Sequence, residues 1–218
     1  LLYFADIPYL GNEVPFYLCR MTRKIWLAGQ VVYIVCATAI YTVAILLSTI
    51  LICGQRCYVG NIWSETAVKL AFTSAGKKLS LAASEKTLEL TRPYACMTTI
   101  FFLLFAYALV MVLLIFWFRI LWNELAGMIA GVVFNGISFI FSPGILQKLL
   151  GISERKSYLA NVAAGWISPL SHATYHLHNF GYDRLPSLRD SGIYDMVLVI
   201  MLILLNLYSI RTYHFVFD

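Results

Sequence analysis

Polar and apolar positions alternate in long blocks along this chain. From Ile25 to Gln55 no charged residue interrupts the sequence, and this block follows directly on the basic cluster Arg20, Arg23 and Lys24. Three further apolar blocks come later. The pattern predicts membrane helices over 30–52, 94–118, 124–142 and 191–210. The first has about 23 residues; at about 1.5 Å per residue it covers about 34 Å, enough for a hydrocarbon core of about 30 Å. The second closes on Phe116, Trp117, Phe118 and Arg119, and Trp117 and Trp122 suit the headgroup level. The third follows after only a few residues, which predicts a tight antiparallel hairpin, and Pro143-Gly144 then breaks it. Gly127 and Gly131 stand four apart, with Gly136 beyond. Small residues at such spacing let helices approach closely, so packing is preferred over a ligand role. Asn135 lies mid-span, able to bond across helices or to face a pathway. Glu124 is placed to pair with Arg119 or Arg23, and Asp195 and Asn206 are polar positions near the ends of the last span.

Two connectors, 54–93 and 144–190, separate these blocks. Within the first, Ala67 to Leu90 has the composition of a surface helix. Within the second, Ser157 to Tyr182 is uncharged but carries Asn161, Ser168, Pro169, three histidines and Asn179. That is too polar for a simple span and suits short helices lying at the interface or dipping into it. Before the first span, residues 12–25 read as a surface helix. Asn12 is its cap, Pro15 stands in its first turn, and Phe16, Tyr17, Leu18 and Met21 form one face. Its cations Arg20, Arg23 and Lys24 fall at the C-terminal end, where they suit the helix dipole. Such a segment either anchors on anionic lipid or docks a soluble partner.

Composition narrows the class. The apolar share is 61% and the charged share 12%, and mean hydropathy is +0.78; soluble domains are about half apolar. The expectation is an all-α integral membrane protein. The net charge of +5 is dispersed, without the basic runs and interleaved aromatics of a nucleic-acid surface. Charge leaves orientation open. Arg20, Arg23, Lys24, Arg119 and Arg211 share one side of a four-span layout and lie close to span ends, whereas the connectors on the other side carry most of the 16 Lys/Arg. Of five cysteines, Cys36 sits within a span, and Cys53 and Cys57 read as unrelated thiols rather than a disulfide. No CxxC occurs.

Candidate chemistry is sparse. No GxxxxGK[ST] phosphate loop is present; Gly76-Lys77 runs into Lys78 and lacks the earlier glycine. His172, His176 and His178 are the most metal-like set, with His172 and His176 spaced for one helical face. A membrane metalloenzyme is the alternative they carry, but no HExxH occurs and the nearest acid is Asp183. A secondary transporter is a further alternative.

Several segments, in order, resemble the permease subunit of ABC-2-type bacterial exporters, notably the small permeases of Gram-positive bacteria. They are Phe4-Ala-Asp-Ile-Pro-Tyr9, Phe16-Tyr-Leu-Cys-Arg-Met-Thr-Arg-Lys-Ile-Trp26 and Gly29-Gln30. Further on come Asn61-Ile-Trp-Ser-Glu65, Lys69-Leu-Ala71, Trp166-Ile-Ser-Pro-Leu-Ser-His172, Pro186-Ser-Leu188 and Ile210-Arg-Thr-Tyr-His-Phe215. The resemblance implies that the four spans are helices three to six of a six-helix permease domain, with two helices ahead of Leu1. It implies a cytoplasmic coupling helix over 12–25, in which Phe16, Tyr17, Arg20, Met21, Arg23 and Lys24 dock a separate ABC ATP-binding subunit. The region from about Gln147 to Asn179 would roof the pathway on the opposite side. The chain itself would hold no cofactor; ATP and Mg2+ would belong to the partner. A second permease subunit, identical or different, and membrane lipid complete the expected partners, in a bacterial cell membrane. The Lys-rich 54–93 connector and the Cys53/Cys57 pair depart from the family pattern.

Overall fold

The computed structural model describes residues 20–54, 59–73, 85–141, 143–149, 151, 153, 156–181 and 183–213. Every regular element among them is helical. In chain order these are α1 (Arg23–Cys53), α2 (Glu65–Phe72), α3 (Glu85–Leu90), α4 (Pro93–Leu121), α5 (Glu124–Ile140), α6 (Pro143–Leu149), α7 (Ser157–Ile167), α8 (Pro169–Ala173), a 3-10 turn (Tyr175–Leu177) and α9 (Leu188–Ser209).

Three of these, α1, α4 and α9, are long and apolar enough to cross a membrane, with 31, 29 and 22 residues. At about 1.5 Å per residue even the shortest covers about 33 Å. The third expected span is a bent pair instead: α5 and α6 meet at 73°. Pro143 opens α6 because its ring cannot continue α5, so the straight part stops at Ile140 rather than at Ser142.

Helices α1 and α9 begin earlier than hydropathy alone places them, at Arg23 and Leu188, because side-chain caps set their starts. Thr22 Oγ1 accepts from Ile25 N at 3.4 Å, so α1 starts at Arg23 rather than at Gln30. Arg23 and Lys24 therefore occupy the first turn of a spanning helix, not the last turn of a separate one. The N-terminal part of the expected 12–25 helix, with Phe16 and Tyr17, lies outside the described residues, as does Cys57. Gly54, at φ 48°, closes α1 in a conformation that favours glycine. Pro93 stands at the first position of α4, where its missing N–H costs nothing. Asn123 caps α5 through Ala126 N at 2.8 Å, and Glu124 in the first turn suits the positive dipole end. Ser187 and Asp190 form a reciprocal capping box at α9. The connector segment from Ala67 to Leu90 is not one surface helix but contributes to two, α2 and α3.

Helix α4 is the central element and packs against α1, α5 and α9. Its buried side chains Leu109, Leu113 and Phe116 meet Trp26, Leu27 and Ile34 of α1 and Leu202 of α9. Gly127 sets the α4–α5 approach. A Cβ there would fall 2.8 Å from the Ile115 carbonyl oxygen and 2.5 Å from Arg119 Cγ. Gly131, one turn on, is also buried.

The bundle has two distinct ends. The start of α1, the α4–α5 turn and the end of α9 meet at one end, the terminal face. The described parts of the two connectors lie at the opposite, connector face. Trp63 Nε1 donates to the Thr91 carbonyl at 2.8 Å, and Asn61 Oδ1 accepts from Tyr94 N at 3.2 Å, seating the first connector on the head of α4. A salt bridge between Lys86 and Asp183 joins the two connectors, and Lys86 also lies over the Phe180 ring at 5.6 Å.

Candidate functional site

At the terminal face, Arg23 reaches across the bundle. Its Nη1 donates to the Arg211 carbonyl at 2.7 Å and to that of Ile210 at 3.4 Å. A cation there satisfies carbonyls that a helix C-terminus leaves without intrahelical partners. Arg119 pairs with Glu124 at 2.7 Å across the α4–α5 turn. Trp117 Nε1 donates to Ser209 Oγ at 3.0 Å, tying α4 to α9. Of the residues expected to dock a partner, Arg20, Arg23 and Lys24 are exposed. Met21 is half-buried against the core cluster, and Arg23 is engaged with α9. The face therefore offers Arg20 and Lys24 outward, Arg23 spans the surface to the end of α9, and Met21 packs against the bundle.

Mid-bundle polar groups are tied between helices. Tyr107 donates its hydroxyl proton to Asn135 Oδ1 at 2.7 Å, and Asn135 Nδ2 donates to the Gly131 carbonyl at 3.0 Å. Asn206 Nδ2 donates to Leu202 O at 2.8 Å and to Leu113 O on α4 at 3.3 Å. Both asparagines link helices, although the buried Oδ1 of Asn206 meets no hydrogen-bond partner among the described residues.

The connector face holds the most concentrated polar site. Ser168 and Pro169 end α7 and start α8, so the Trp166 carbonyl loses its usual partner: Leu170 N donates instead to Ser138 Oγ of α5 at 3.3 Å. His172 Nε2 takes that carbonyl at 3.1 Å. The other nitrogen of His172 lies 2.8 Å from Ser191 Oγ, and its ring stacks on Tyr194 with centroids 4.1 Å apart. His178 Nε2 approaches the same Ser191 Oγ at 2.8 Å. His172, His178 and Ser191 are all buried. Burial holds His172, His176 and His178 below the ordinary imidazole value. The Trp166 carbonyl and then Asp190 oppose this at His172, and the Thr174 and Tyr175 carbonyls oppose it at His178.

This arrangement corrects the metal reading. Helix α8 ends at Ala173 and Thr174 is extended, with φ −100° and ψ 108°. His172 and His176 are thus not neighbours on one helical face, and the pair that converges is His172 with His178. Among the described residues no group of three His, Cys, Asp or Glu side chains could hold a metal ion. Ser191 was not singled out in the sequence. Its spacing four before Asp195 was the available signal, since both fall on the buried face of α9.

Two apolar cavities flank α4. One, of about 340 Å³, lies between α1 and α4 and is lined by Thr42, Leu46, Trp63, Met97 and Phe101 among others. The second, of about 420 Å³, lies between α4 and α5 beside Phe118, Trp122, Ile129 and Val133. Compared with protein-family models, curated proteins and solved structures, the chain matches none of them. The fold and its long apolar helices define a helical membrane protein.

Proposed function

We propose that the chain is a membrane-spanning subunit of an ATP-driven exporter of the ABC-2 type, working by alternating access beside a second permease subunit in a bacterial cell membrane. ATP and Mg2+ are handled by a separate ATP-binding subunit, which docks at the terminal face; this chain carries no phosphate loop. The reading rests on the ordered sequence resemblance together with one observation: the Arg23 link to the Ile210 and Arg211 carbonyls. A displacement of the segment entering α1 is transmitted to the end of α9 through that link, so one contact on this face can move the first and last described spans together. Arg20 and Lys24, exposed beside it, supply the charge that recognises an acidic groove on the ATPase. The apolar cavities flanking α4 are where an amphipathic cargo would lie.

The test is charge reversal at both exposed cations. In Arg20→Glu with Lys24→Glu, the chain should insert normally while an ATPase that co-purifies with the wild type is lost and transport-coupled ATP hydrolysis falls. Unchanged coupling in that variant, or no ATPase accompanying the wild type in mild detergent, overturns the assignment.

A further inference from the structure

Four contacts run in one line through the buried site on the connector face. The Trp166 carbonyl faces His172 Nε2, and His172 Nδ1 faces Ser191 Oγ. Ser191 Oγ then faces His178 Nε2, and His178 Nδ1 faces the carbonyls of Thr174 and Tyr175 at 3.0 and 3.1 Å. Each contact needs a proton between its heavy atoms. A neutral imidazole carries one N–H and a serine hydroxyl one O–H, while carbonyls only accept. Two neutral rings and the hydroxyl thus supply three protons for four contacts, whichever tautomers they adopt. One contact is then left between two lone pairs. A fourth proton completes the line. A fifth would set a second positive charge one hydroxyl away from the first, in a site closed to water.

We propose that His172, Ser191 and His178 form a binding site for a single proton, shared by the two rings through the Ser191 hydroxyl, which fastens the connector to the first turn of α9. The site needs only the described helices and stands whether or not an ATPase docks on the opposite face.

Burial opposes charge on either ring, and the neighbouring groups can offset that for one charge but not for two. On α9, Asp190 favours a charged His172, exposed Arg189 stands beside Asp190, and the Tyr194 ring presents its face to His172, a favourable seat for a cation. Asp195, one turn beyond Ser191, is buried, and its Oδ2 meets no hydrogen-bond partner among the described residues. The 3-10 turn brings His176, which opposes further positive charge near His178, and Tyr175, packed against Cys96 of α4. Helix α7 and the adjoining half of α5 carry no acidic or basic side chain. A charge on one ring disfavours a charge on the other.

The fastening is complete only while one proton is bound. Its loss as pH rises leaves one of the four contacts between two lone pairs. A second proton is resisted by burial and by the charge already on the partner ring, so it enters only below the ordinary imidazole value. The part of the fastening that this second step removes is therefore present above it and lost as pH falls through it, which releases the connector from α9.

The experiment uses the full chain in lipid nanodiscs with ¹⁵N-labelled histidine, titrated by NMR between about pH 4.5 and 8. In the wild type the His172 and His178 signals should move together in one step worth one proton, with the second step at lower pH. Independent titration of the two rings, each at the ordinary value, overturns the proposal. Ser191→Ala should abolish the joint movement, and an unchanged titration in that variant also overturns it. A second readout is hydrogen exchange at the bonded amides of Leu177, His178 and Asn179. Corrected for intrinsic rates, their protection should drop roughly fivefold or more on acidification of the wild type. His178→Gln supplies an N–H donor to Ser191 that does not titrate, so protection should persist in acid. Acid release of His178→Gln at the wild-type pH refutes the shared proton even if Ser191→Ala fails to fold.

Discussion

Gly127 and Gly136 lie on the same helix, yet the same substitution should act on them with opposite sign. Alanine at either position gains about 1 kcal/mol of helix propensity over glycine. At Gly136 the added methyl meets nothing within 4 Å, so Gly136→Ala should be neutral or stabilising. At Gly127 the methyl would lie 2.8 Å from the Ile115 carbonyl oxygen and 2.5 Å from Arg119 Cγ. The arginine stem can swing aside, but the carbonyl is backbone of α4 and yields only if the two helices separate. Overpacking of this kind costs about 1–3 kcal/mol. Propensity cancels between the two variants, so Gly127→Ala should be less stable than Gly136→Ala by about 1–3 kcal/mol. The assay is reversible unfolding in mixed micelles, titrated with denaturing detergent and followed by Trp fluorescence. Equal stability of the two variants, or a more stable Gly127→Ala, would refute the close approach of α5 to α4.

Other interhelical links give smaller expected effects. Asn206→Leu removes a buried amide whose Oδ1 has no hydrogen-bond partner among the described residues, and interhelical bonds in membranes average about 0.6 kcal/mol, so stability in the same micelle assay should change by no more than about 1 kcal/mol. A much larger loss would mean that Asn206 has a role beyond the bond to Leu113. Trp117→Phe keeps most of the ring but deletes the donor to Ser209. It should cost about 1 kcal/mol and leave the spans in place; an unchanged midpoint would show that this contact does not hold α4 to α9.

Three of the four expected spans were legible in the sequence because hydrocarbon admits few charges over about 20 residues; the remaining one is bent at Pro143, which hydropathy does not register. The ends of the spans were not legible. Thr22 begins α1 well before Gln30 because its hydroxyl caps the helix, and two cations are tolerated in the first turn where long side chains reach the interface. The Arg119–Glu124 pair and the cross-helix bond of Asn135 were each readable as one of two alternatives, and the structure selects between them. The docking segment was only partly testable: Arg20 and Lys24 stand outward, while the engagement of Arg23 with α9 joins residues far apart in sequence and leaves no local periodicity. The histidine site failed for the same reason. Spacing by four suggested one helical face for His172 and His176, but α8 stops at Ala173. The turn after it brings His178, not His176, onto Ser191.

The Arg23 contact also orders the life of the chain in time. Its acceptors, the carbonyls of Ile210 and Arg211, are synthesised after every described span, and Ile210 packs in the same core cluster as Trp26 and Leu27. The entrance of α1 can therefore take its finished form only once α9 has left the ribosome and inserted. Until then the earlier helices wait in the bilayer with that corner open, so a nascent chain cut short before α9 should remain recognisable to membrane quality control as unfinished.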